Sequence, residues 1–130
     1  MKRKIAHITL VVKDYDRAIA FYTEKLGFEL FEDSYLNEQK RWVVVGPSNS
    51  DGCRLLLAKA NGESQHHAVG NQTGGRVFLF LETDDFQKDY QQLSNKGIEF
   101  IRPPKKESYG TVAVFKDLYG NLWDLIGPKG

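Results

Sequence analysis

The stretch HITLVVKDYDRAIAFYTEKLGFEL, residues 7–30, decides the fold. Just ahead of it and into it, Ile5 to Val12 is short, apolar and rich in β-branched side chains, which predicts a strand. Asp14, Tyr15 and Asp16 then supply an N-cap and an acidic first turn. Ala18, Ile19, Phe21, Tyr22 and Leu26 recur at helical spacing, and Gly27 stands where a left-handed cap ends a helix. Strands are expected next at Phe28 to Tyr35, Arg41 to Gly46 and Cys53 to Ala60, with turns at Asn37 to Lys40 and Pro47 to Gly52.

Working outward, the same order returns. Arg76 to Thr83 predicts a strand, Asp84 and Asp85 a helix start, and Phe86, Tyr90 and Leu93 its apolar face, with Gly97 closing it. Strands follow at Ile98 to Arg102, Thr111 to Lys116 and Leu122 to Gly127. Gly27-Phe28-Glu29-Leu30 is echoed by Gly97-Ile98-Glu99-Phe100, an offset of 70 (27 to 97). Asp51-Gly52 before Cys53 to Leu57 is echoed by Tyr119-Gly120 before Asn121 to Leu125, an offset of 68 (52 to 120). The expectation is an α+β chain of two βαβββ modules, residues 1–60 and 76–130. The polar, glycine-rich residues 61–75 join them, with room for a short helical turn.

Composition narrows the function classes. A chain of 130 residues with 41% hydrophobic residues supports one globular domain with its own core. Lys plus Arg number 18 and Asp plus Glu 17, so nothing marks a nucleic-acid or anionic-membrane surface. Cys53 is the lone cysteine, which excludes an intramolecular disulfide and fits a reducing, cytoplasmic setting. The opening MKRKIAHITLVV has a basic start and an apolar run, but His7 and Thr9 interrupt the run and no small-residue cleavage site follows. No stretch reaches the ~20 apolar residues of a membrane helix. A small organic molecule or a second copy of the chain is the expected partner.

Two ends of the chain carry a resemblance to a family. HITLVVKDYDRAIAFYTEKLGFEL and the closing FKDLYGNLWDLIGP together resemble the vicinal oxygen chelate superfamily, which includes glyoxalase I, extradiol dioxygenases and the fosfomycin- and bleomycin-resistance proteins. Leu118 stands where that closing motif usually has proline. The resemblance implies two modules whose sheets curl into a cup, and a homodimer. It also implies metal ligands on the first and fourth strands of each module. Those positions fall at His7, Leu56, Phe78 (or Val77) and Asp124, so only His7 and Asp124 are able to ligate. The expectation is therefore a pocket without a tightly bound cofactor. The alternative is a divalent-metal lyase or dioxygenase with a rearranged site built on the same two residues.

Other residues join that site by strand alternation. If His7 and Asp124 meet inside the cup, Asp124 would orient His7 as a general base; a hydrogen-bonded pair without chemistry is the plainer reading. Glu82, four residues after Phe78, is expected on the face of Phe78, and Arg54 on the face of Leu56, where an arginine would need an anionic partner. Trp42, Tyr109 and Trp123 offer rings with polar tips suited to a planar ligand, whereas Phe80 and Phe115 read as core. Arg102 to Glu107 reads as a basic, proline-stiffened loop, which the resemblance implies lies beside the ligand, and His66-His67 as part of a polar loop. The run Gly70 to Gly75 lacks the lysine and the following helix of a phosphate loop.

Overall fold

The computed structural model describes residues 1–128; residues 129 and 130, the end of the second module as read from the sequence, lie outside the described residues. The chain divides into two compact units, Met1–Val69 and Gly70 onward, with the division falling inside the glycine-rich connector.

In the first unit β1 (His7–Val12) leads through Asp14 into α1 (Tyr15–Ala20), which runs on as a wide turn of π type over Phe21–Lys25. Asp14 caps the helix by accepting the Asp16 N–H at 3.3 Å. Gly27 ends it at φ +77°, a conformation that favours a residue without Cβ. Three antiparallel strands follow, β2 (Glu29–Asn37), β3 (Lys40–Gly46) and β4 (Arg54–Lys59), then the short helix α2 (Glu63–Ala68). The sheet order is β1-β4-β3-β2, with β1 and β4 parallel.

The second unit repeats this with β5 (Val77–Glu82), α3 (Phe86–Asn95), β6 (Phe100–Glu107), β7 (Gly110–Lys116) and β8 (Leu122–Gly127). Its order is β5-β8-β7-β6, and β5 and β8 are the parallel pair. Asp85 accepts the Lys88 N–H at 3.3 Å, and Gly97 closes α3 at φ +89°. The duplication extends to its irregularities: β2 slips at Leu30/Glu32 and β6 at Phe100/Arg102, so Phe31 and Ile101 are equivalent bulged residues. One length difference is visible. Asp14 to Gly27 is 13 steps and Asp85 to Gly97 is 12, and the extra residue falls in the helix that carries the wide turn.

Each sheet buries one face under its helix. In the first unit Leu10, Val12, Val43, Val45, Leu55 and Leu57 meet Ala18, Phe21 and Tyr22. Full burial of such side chains stabilises by ~1.5–3 kcal/mol apiece before the loss of chain entropy is counted. In the second unit Phe115 is fully buried, stacked on Trp123 with centroids 5.8 Å apart.

Two loop readings are corrected. Arg102 to Glu107 belongs to β6, because an edge strand tolerates Pro103 and Pro104 where it slips between Arg102 and Lys105. His66 and His67 lie exposed on α2. No helix among the described residues is long and apolar enough to cross a membrane.

Candidate functional site

The faces turned away from the helices carry the candidate residues, and each unit has its own. In the first, His7 pairs with Arg54 and Thr9 with Leu56 along the parallel β1–β4 ladder, while Val44 pairs with Leu56. Alternation therefore puts His7, Arg54, Leu56 and Trp42 on one open face. The His7 and Trp42 rings meet edge to face at 6.0 Å. Arg54 is half-buried, and what it meets is the ring of Phe31, with its guanidinium carbon 3.4 Å from the centroid. The bulge at Phe31 delivers that ring, a consequence of register that composition and spacing do not announce.

In the second unit Phe80 pairs with Asp124, Glu82 with Ile126 and Val114 with Asp124. A cavity of about 510 Å³ lies on this face, lined by Arg102, Lys105, Tyr109, Val112, Val114 and Asp124 among others. Lys105 is tied to Glu107 at 3.2 Å, and Tyr109 stands at the β6–β7 hairpin tip, 61% exposed. Asp124 Oδ1 is buried with no hydrogen-bond partner among the described residues. Burial raises the Asp124 carboxyl above the usual aspartate range, and the charge of Arg102 acts in the opposite direction.

Three readings based on alternation change. β5 slips between Val77 and Leu79, which takes Phe78 out of phase; its ring packs edge-on to Trp123 at 6.4 Å, on the core side. Glu82 therefore shares a face with Phe80 and Asp124, not with Phe78, and is exposed. Trp123, the neighbour of Asp124, points the opposite way and is only 3% exposed. Phe80, read as core, is 66% exposed on the open face, whereas Phe115 is core as expected. Val112 and Val114 were not singled out from the sequence, and Arg102 was named only as one end of the basic stretch Arg102 to Glu107. The period-two pattern of Thr111 to Lys116 carries the signal for the two valines, and the bulge hides Arg102.

The register also fixes the internal equivalences. His7 pairs with Arg54 as Val77 pairs with Leu122, so Val77 is the counterpart of His7, and Leu56 that of Asp124. The four positions where the resemblance implies metal ligands thus hold His7, Leu56, Val77 and Asp124. A divalent ion in such a centre requires about three protein donors, and each unit supplies one. No group of three His, Cys, Asp or Glu side chains able to hold an ion occurs among the described residues. The donor set does not fit a metal centre.

Comparison with known proteins agrees with this architecture. The family model described as "Glyoxalase/Bleomycin resistance protein/Dioxygenase superfamily" matches residues 4–125. A protein of Shewanella frigidimarina (strain NCIMB 400) is 62% identical over 127 residues, covering 97% of this chain and 94% of its own. The crystal structure of UcmS2 aligns at 34% identity with a TM-score of 0.84, covering 97% of this chain and 98% of that one. TnmS3, described as an antibiotic binding protein from Streptomyces sp. CB03234, aligns at 27% identity with a TM-score of 0.76, covering 98% of both chains.

Proposed function

Because this chain belongs to the glyoxalase/bleomycin resistance protein/dioxygenase superfamily, we propose that it binds a small organic molecule on the open faces of its sheets, without a tightly held metal. The observation that carries this reading is the cavity of about 510 Å³ beside Asp124, whose valine floor and few convergent polar groups are the usual make-up of a small-molecule site. Val112 and Val114 would meet an apolar surface, Tyr109 would cover it, and Asp124 would orient it. On the other unit Trp42, Leu56 and the Arg54–Phe31 pair offer ring and aliphatic surface to a planar group. The description of TnmS3 as an antibiotic binding protein supports the choice of ligand size and class. Binding would come from excluding water from apolar surface, with polar side chains setting the pose. The same reading takes the protein to be a cytoplasmic homodimer, in keeping with the exposed, unbridged Cys53.

The experiment is a titration with 2-methoxynaphthalene, followed by amide NMR shifts in the presence of a chelator. Saturable binding with shifts clustered at Val112, Val114 and Tyr109 is the expected result. Absence of saturable binding, for this ether and for its hydroxyl counterpart 2-naphthol alike, overturns the reading. So does a divalent ion that survives dialysis and is lost together with binding in His7→Ala, an outcome that favours a metal-dependent enzyme.

A further inference from the structure

Among the polar groups that line the proposed cavity, Lys105 and Asp124 differ in how they are engaged, and this bears on the kind of ligand the Asp124 side would select. Lys105 is engaged by Glu107 at 3.2 Å, so that wall presents a neutralised pair. Asp124 presents a carboxylate oxygen that is buried and accepts no hydrogen bond among the described residues. The floor between them, Val112 and Val114, has no side-chain donor to offer, and Val44 occupies the position equivalent to Val114 in the first unit. A buried acceptor without a donor is costly to leave as it is, and a ligand that brings the donor removes that cost.

We infer that the second unit's cavity selects molecules carrying an O–H or N–H donor set within an apolar or aromatic surface, with Asp124 accepting that hydrogen bond. Phenols, aryl amines and amide N–H groups belong to this class. At Asp124 a ligand whose only polar group is an ether or a ketone presents an acceptor to an acceptor and is disfavoured there; Arg102, exposed on the same lining, is the donor such a group would have to reach instead. An anionic group placed at Asp124 meets like charge. This inference rests on the small-molecule reading above, and its test separates the two.

The test compares 2-naphthol with 2-methoxynaphthalene, which differ by replacement of the donor hydrogen with methyl. Each is titrated into wild type, Asp124→Leu and Asp124→Asn, with amide NMR reporting both binding and the integrity of the fold. Wild type is expected to bind the naphthol about tenfold more tightly than the ether, the range of one hydrogen bond to a charged acceptor. In Asp124→Leu the preference is expected to fall to within about twofold. Asp124→Asn retains an acceptor and guards against misfolding of the leucine variant; an intermediate preference of about threefold is expected. If both probes bind wild type equally, or the preference survives in Asp124→Leu, the inference is overturned while the small-molecule reading stands. If neither probe binds wild type, the small-molecule reading fails and takes the inference with it.

Discussion

Replacing Asp124 by asparagine should stabilise the protein at neutral pH and leave it unchanged in acid. The carboxyl loses solvation in the fold, its Oδ1 has no hydrogen-bond partner among the described residues, and burial raises it above the usual range. The folded chain therefore keeps a proton that the unfolded chain releases. Below the ordinary aspartate range both states are protonated and nothing is lost. The penalty grows as pH rises through that range, and is complete above the raised value in the folded state. A fully buried oxygen without a partner costs ~1–3 kcal/mol. Here the side chain as a whole is half-buried and Arg102 opposes the shift, so screening brings the expectation to about 1 kcal/mol. In a chain of this size that corresponds to a rise in Tm of about 3–5 °C for Asp124→Asn. Urea unfolding at about pH 7.5 and about pH 3, with unchanged m-value, measures the difference. The reasoning is refuted if Asp124→Asn is the less stable protein at neutral pH, for then the carboxylate gains more from Arg102 than it loses by burial.

Two further substitutions probe the frame beneath the site. Phe115→Ala removes a fully buried ring that contacts Trp123 and Phe100, and a loss of about 3–5 kcal/mol is expected in denaturant unfolding; a loss below ~1 kcal/mol would show the ring is not core. Asp117→Ala deletes the carboxylate that accepts the N–H groups of Tyr119, Gly120 and Asn121 at 2.9–3.0 Å and the Asn121 side-chain amide at 2.9 Å. A loss of about 2–3 kcal/mol is expected, with faster amide exchange confined first to this turn; protection unchanged there would refute the role.

The two modules, their helix caps and their closing glycines were legible because each rests on local chemistry: Asp14 and Asp85 as N-caps, Gly27 and Gly97 at positive φ. The site was legible only where strands run without interruption. His7, Arg54 and Leu56 share a face as alternation predicts, because β1 and β4 pair without a slip. Phe78 and Glu82 were misjudged as partners because β5 slips once between Val77 and Leu79, and one residue of slip exchanges the faces. Trp123 drew attention for its indole, yet its neighbour Asp124 faces the cavity, and adjacent strand residues cannot both do so. The β6 prolines suggested a loop because the sequence does not reveal that their strand lies at an edge, where a missing N–H is harmless.

The wide turn at Phe21–Lys25 bears on how a doubled chain ages. One residue gained within a regular helix rotates everything beyond it by about 100°, which would swing the exit of the chain away from its sheet. Here the surplus is swallowed as slack in the hydrogen-bonding spiral, and Phe28 still reaches the interior as its twin Ile98 does. Twin halves can thus drift apart in length while their shared blueprint survives, provided each insertion lands where the backbone has give.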